Sequence, residues 1–298
     1  MKFYLRFLLV CPLIFTLSGC QSDSVAINHS AQYSYSAWTT WKQHYQREVS
    51  GKDGWLSLAG LCWLEEGINT LGASANKDCQ LPQDTPNNLG SLIVNNNQVE
   101  FKTNNTDLQV DGNSNINHIT LKEDETQVTF PNYGFKIIKR DRGFALRLID
   151  KRPINQEEGL VKFIDFQPEW VMRAKLIPNV SAKTIRLATV YGTTREDKSA
   201  GLLIFEYLGK KYQLEAVNYG KDTPMYVMFS DQTNGESTYA AGRYVKVEWP
   251  DLDGYTVIDF NRAYNPPCAY TNYATCPLTP KQNVLPISIS AGELSFKH

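Results

Sequence analysis

Most of the chain is written in short apolar bursts set off by Asn, Asp and Gly, and many of them carry a period of two. In WVMRAKLI (170–177), Trp170, Met172, Ala174 and Leu176 take one face, Arg173 and Lys175 the other. LIV (92–94), VEFK (99–102), LQV (108–110), HITL (118–121), QVTF (127–130), FKIIK (135–139) and FALRLI (144–149) read as strands before it. KTIRLATVY (183–191), LLIFEYL (202–208), KYQLEAV (211–217), MYVMF (225–229), RYVKVEW (243–249) and YTVIDF (255–260) follow, with a compact hairpin turn at 209–211. Strands recurring every ~8–12 residues predict an antiparallel sandwich or barrel. One stretch differs. From Tyr35 to about Val49 the spacing is helical, with Trp38, Trp41 and Tyr45 on one face. Next, GWLSLAGLCWLEEG predicts a strand or turn pair burying Trp55 and Trp63, and VLPISIS (284–290) restores periodicity after a Pro-rich stretch. The expectation is a mainly β protein in two parts. A helix packs on an N-terminal β-sandwich over residues 35–142, and a C-terminal antiparallel β-domain fills 143–298, ending in a Pro/Cys-rich tail.

Against that pattern some polar residues stand in unexpected places. Arg147 lies in FALRLID, a strand apolar on both faces and so predicted to be buried on both. A buried guanidinium needs a carboxylate or an anionic ligand, because leaving it unpaired costs ~3–5 kcal/mol. Arg243 alternates onto one face with Val245, Val247 and Trp249. Its candidate partners are Asp150, Asp231, Glu236 and Asp259. Asp259 is preferred because the strand that ends there comes next in the chain, and sequential strands are usually neighbours. Together with Tyr239, Asn261, Tyr264 and Asn265, the residues Arg147, Asp231, Glu236, Arg243 and Asp259 are the expected ligand-binding set of the C-terminal domain. Two arginines suit a carboxylate or phosphate, and Tyr with Asn suits sugars or peptides. A small polar or anionic ligand is therefore the leading expectation. A metal-independent hydrolase using paired carboxylates from Asp231, Glu236 and Asp259 is a second reading, and a structural protein whose charges only pair with one another is a third.

Composition narrows the field. Of 298 residues 42% are hydrophobic and 12% aromatic, enough for a sizeable core. The 30 Lys+Arg against 31 Asp+Glu argue against an electrostatic nucleic-acid binder. There is no Gly-x-Ser-x-Gly, Walker loop, Gly-x-Gly-x-x-Gly or His-Glu-x-x-His, so no cofactor is expected and no catalytic residue is assigned. The four His are scattered at 29, 44, 118 and 298, a poor basis for a zinc site. Ser74-Ala75-Asn76-Lys77 matches Ser-x-x-Lys by chance, without the partner motifs of penicillin-binding enzymes.

The first twenty residues give an address. Lys2 and Arg6 form a positive n-region, Phe7 to Leu17 is an apolar run too short to span a bilayer, and Leu17-Ser18-Gly19-Cys20 resembles the lipobox of bacterial lipoproteins. That resemblance implies a signal peptide over 1–19, lipidation (diacylglycerol and palmitate) at Cys20, and a polar tether to about residue 34. With Gln21 and not Asp after the Cys, it implies a protein anchored to the outer membrane and facing the periplasm. An oxidising compartment allows disulfides. Cys62, Cys79, Cys268 and Cys276 permit three complete pairings, of which Cys62–Cys79 with Cys268–Cys276 is locally simplest. Alternatively, Cys62 is a buried thiol and Cys268 a free nucleophile.

Two resemblances complete the reading. GINTLGASANKDCQLP, followed by LGSLIVNNNQVEF and LQVDG, resembles a forkhead-associated β-sandwich in its scaffold. It departs at the phosphopeptide site, with Ala73 where the binding Arg would follow Gly72 and no Ser-x-x-His segment. The second is more extensive. Asp259-Phe260-Asn261-Arg262-Ala263-Tyr264-Asn265-Pro266-Pro267-Cys268-Ala269-Tyr270, with Tyr273-Ala274-Thr275-Cys276-Pro277-Leu278, resembles the hallmark of the uncharacterised bacterial and archaeal domain-of-unknown-function family sixteen-eighty-four. Gly54-Trp55-Leu56, Gly60-Leu61, Trp63-Leu64, the turn from Thr233 to Tyr239, and Gly242-Arg243 match the same pattern. It implies no activity.

Overall fold

The computed structural model describes residues 32–154 and 161–296. The signal segment, Cys20 and the start of the tether lie outside the described residues, and no helix among those described is long and apolar enough to cross a membrane. The protein is mainly β with one N-terminal helix, α1 (Tyr35–Ser50), whose first turn is capped by the Ser34 hydroxyl accepting from the Ala37 N–H.

Strands β1 (Leu58–Trp63), β2 (Gly67–Gly72), β3 (Cys79–Gln80), β4 (Gly90–Asn95), β5 (Gln98–Lys102), β6 (Gln109–Val110), β7 (Asn113–Ser114), β8 (His118–Leu121), β9 (Val128–Phe130), β10 (Tyr133–Arg140) and β11 (Gly143–Asp150) build the first part. They form two sheets, ordered β1-β11-β10-β9-β6-β7 and β3-β2-β4-β5-β8. The alternating inward residues of both sheets, among them Leu71, Leu92, Phe101, Val128, Phe135 and Leu146, meet in one core. The disulfide Cys62–Cys79 ties β1 of one sheet to β3 of the other.

The second part comprises β12 (Val171–Pro178), β13 (Thr184–Ala188), β14 (Thr194–Tyr207), β15 (Lys210–Val217), β16 (Met225–Phe229), β17 (Arg243–Val247) and β18 (Tyr255–Asp259). Their order is β17-β16-β15-β14-β12-β18, with β13 paired to β14. The sheet curls into a half-barrel. Its concave side holds Trp170, Phe205, Val227, Phe229, Val245 and Phe260, and is plugged by Leu285, Ile289 and Ala291 from the tail. The tail itself is not a strand, in contrast to the alternation of VLPISIS. Its backbone instead pairs singly, as in Leu285 N–H to Ser230 O at 2.8 Å. The β14–β15 hairpin turns at Leu208-Gly209, both at positive φ (50° and 73°), as its two-residue loop requires.

The helix is not seated on the sandwich as expected. Trp38 Nε1 donates to Asn261 O at 2.9 Å, and Tyr45 and Val49 pack with Val161, Phe163, Tyr264 and Tyr270, so α1 belongs to the C-terminal part. The aromatic face of the helix packs against the aromatic residues of the hallmark and its neighbours and not against the sandwich core.

Candidate functional site

The two β-parts meet at a cleft. Its floor is the convex side of the half-barrel. Because β16 and β17 alternate, Met225, Val227 and Phe229 face the core and leave Tyr226 and Met228 outside, and Tyr244 likewise points away from Arg243 and Val245. Arg140 and Arg147 come from the sandwich, Trp55 from the turn just before β1, Arg195 from the start of β14 and Tyr219 from the segment after β15. The hallmark loop closes the cleft with Pro267, Ala274, Cys276 and Pro277. The volume of the cleft, which is open on one side, is about 180 Å³. The loop is strapped in place by Val190 N–H to Cys276 O (3.1 Å), Leu278 N–H to Ala188 O (2.7 Å) and the Tyr244 hydroxyl donating to Pro277 O.

The three arginines differ in their partners. Arg195 is committed to Asp197 through Nε (3.0 Å) and Nη2 (2.7 Å), and Tyr219 donates to the same carboxylate at 2.7 Å. Arg140 has Asp124 at 3.5 Å. Arg147 has no ion pair among the described residues; its buried Nε has no hydrogen-bond partner, and its guanidinium sits 5.9 Å from the Trp55 ring. Burial first, and then the like charge of Arg140, pull its pKa below the usual arginine value. Two lining phenols and the lining thiol are held neutral. Burial pushes the Tyr219 and Tyr244 phenols well up, and the Cys276 thiol is raised first by its contact with Cys268 and then by burial. The cleft therefore carries one uncompensated positive charge.

Of the ligand-binding residues expected from sequence, Arg147 alone lines this cleft, together with Cys276 of the expected disulfide. Arg243 is fully buried and pairs with Asp231 at 2.6 Å, both side chains having no exposed surface. The preference for Asp259 is corrected: Asp231, at the head of the turn after β16, reaches Arg243 because β16 and β17 are adjacent antiparallel strands with Phe229 opposite Arg243. Arg243 also donates to Ile289 O at 3.1 Å and to Ala291 O, which fixes the tail plug. Gly242 makes this possible: at φ 96° a Cβ there would lie 2.3 Å from Thr279 Oγ1.

Asp259 is buried beside Arg262, with Nε 3.1 Å from Oδ2, and accepts from Asn261 Nδ2 at 3.0 Å. Burial raises its pKa. Asn261 also exchanges hydrogen bonds with the Gln167 backbone at 2.8 and 2.9 Å, stapling β18 to the segment before β12. Asn265 N–H donates to Glu293 Oε2 at 2.7 Å, and Tyr264 packs tilted against Tyr45 and edge-to-face with Tyr244. Glu236 is exposed in its turn. Tyr239 donates to Cys268 O at 3.3 Å.

The expected Cys268–Cys276 disulfide is corrected as well. Both are free thiols, with Cys268 N–H 3.1 Å from Cys276 Sγ, so the short loop places a backbone amide against the second sulfur. Sequence reading missed Glu293, which accepts from Tyr270 deep in the aromatic cluster and is pushed up to about 7, chiefly by burial. Its signal was a lone acid in an apolar, strand-like tail. It also missed Arg195 and Arg140, whose strands ended short of them in the periodicity.

Residues 158–294 match a family model described as "Protein of unknown function (DUF1684)". A solution NMR structure of an uncharacterized protein of Haloarcula marismortui is 31% identical. The match covers 45% of this chain and 75% of that one, with a TM-score of 0.39. No curated protein matches.

Proposed function

We propose that this chain, which belongs to the family described as protein of unknown function (DUF1684), is a binding protein for a small anion held in the cleft between its two β-parts. Arg147 carries the reading. A guanidinium drawn out of water without a carboxylate costs several kcal/mol, on the order of 3–5, unless an anion completes it. Its planar fork suits a carboxylate or phosphate bidentately. Asp231 and Asp259 are occupied with Arg243 and Arg262, and Glu236 is exposed, so no observation favours a paired-carboxylate hydrolase over binding.

The test is a thermal-shift and calorimetric panel of inorganic phosphate and carboxylates at constant ionic strength, run on the wild type and on Arg147→Met. Saturable binding that the substitution abolishes is expected. No anion binding, or equal binding to the variant, refutes the site. We further propose that the protein is lipidated at Cys20 and held to the outer membrane facing the periplasm, on the strength of the Leu17-Ser18-Gly19-Cys20 motif. Metabolic palmitate labelling lost on Cys20→Ser is the expected result, and unlabelled wild-type protein would refute it.

A further inference from the structure

Resting on the reading of the cleft as an anion site, we infer that its ligand is a monocarboxylate with a compact apolar body, such as an aryl or short-chain alkyl carboxylate, and not a phosphate or a polyhydroxy acid. The first ground is charge. Arg140 and Arg195 already face Asp124 and Asp197, which leaves the single charge of Arg147. Tyr219, Tyr244 and Cys276 are neutral and add nothing to it. One carboxylate closes the balance, whereas a dianion leaves a negative charge in a half-buried cleft with no partner.

The second ground is the lining. Trp55, Tyr226, Met228, Pro267, Ala274 and Pro277 offer apolar or aromatic surface around the guanidinium. Two of the lining hydroxyls are spent on the protein, Tyr244 donating to Pro277 O and Tyr219 to Asp197, which leaves those of Tyr226 and Thr275. A polyol entering here would trade water for a largely apolar lining with too few partners for its hydroxyls, a cost that binding sites use to reject such ligands. An apolar body loses nothing on the same walls and gains from leaving water. Size is the third ground. About 180 Å³ is less than the ~300–1,000 Å³ of pockets for drug-sized molecules, so the body is one ring or a few methylenes.

The discriminating experiment titrates intact protein with benzoate, hexanoate, gluconate and inorganic phosphate at matched ionic strength, by calorimetry. Benzoate or hexanoate is expected to bind about tenfold or more tightly than phosphate and gluconate. Arg147→Met should abolish this binding; Arg147→Lys, which keeps the charge but loses the fork, should weaken it and serves if the first variant fails to fold. Phosphate or gluconate binding as tightly as benzoate, and still lost in the Arg147 variants, overturns this inference and leaves the anion site standing. Absence of any binding, or binding untouched by both variants, overturns both.

Discussion

Replacing Arg243 with Leu should destabilise the protein by about 3 kcal/mol. The guanidinium contributes one charged hydrogen bond to Asp231 (2.6 Å) and two bonds to the tail carbonyls of Ile289 (3.1 Å) and Ala291, all in a site without exposed surface. Truncating one member of such a pair costs ~3–5 kcal/mol, because the other charge stays buried. The lower end applies here, since Asp231 keeps three donors: Thr233 N–H at 2.8 Å, Thr233 Oγ1 at 2.6 Å and Ile289 N–H at 3.3 Å. Equilibrium urea unfolding followed by tryptophan fluorescence measures the loss. The double variant Arg243→Leu/Asp231→Leu should recover the part of the loss owed to the buried carboxylate, while the tail carbonyls of Ile289 and Ala291 remain without their donor. A single-variant loss below about 1 kcal/mol, or a double variant worse than the sum of the singles, would refute the assignment of this pair as the clamp on the tail.

Glu293 gives a pH signature. Its folded pKa of about 7 lies above the ~4.3 of an unfolded glutamate, so its neutral form favours the fold; the stability it confers is complete below pH ~4.3 and lost as pH rises through about 7. That amounts to about 4 kcal/mol between the two limits, and Glu293→Gln should flatten the slope of urea midpoint against pH; an unchanged slope would count against it. Peptide mapping of unreduced protein should find Cys62 linked to Cys79 and alkylate Cys268 and Cys276, while a linked Cys268–Cys276 peptide would contradict the structure. Because the disulfide spans 17 positions, Cys62→Ala/Cys79→Ala should cost about 3 kcal/mol in chemical denaturation. Arg147→Met should leave the melting temperature of ligand-free protein unchanged or raise it, by up to about 1 kcal/mol equivalent, and a marked drop would mean that a partner inside the fold had been lost.

What was legible in the sequence was local. Alternation in WVMRAKLI, MYVMF and RYVKVEW placed strands and faces correctly, since period two depends only on the backbone of the strand itself. The helix from Tyr35 was legible for the same reason. What lay beyond reach was long-range. That β16 and β17 put Asp231, not Asp259, beside Arg243 depends on where a turn leaves its first residue. That α1 docks on Asn261 and Tyr264 depends on a surface assembled from segments more than two hundred residues away. VLPISIS alternates like a strand yet serves as a plug, because inside a curled sheet its apolar residues find a core without needing a neighbouring ladder.

Arg147 and Arg243 are the sharpest comparison. Both are arginines in apolar strands, each needing an anion. Arg243 finds one inside the fold, and its fork then ties together β16, β17 and the tail. Arg147 lies on the strand of the sandwich that faces the half-barrel, opposite Leu61 on β1 and Lys136 on β10, where neither neighbour offers a carboxylate. Strand pairing alone does not explain why that position was left uncompensated while Arg140 and Arg195, on the same cleft, each received an aspartate. A purely structural interface would gain from a third aspartate or from a Leu at 147, since both remove the penalty. Retaining a lone guanidinium against Trp55, under a loop that the hallmark residues hold in place, is a sacrifice of stability of the kind that binding sites make.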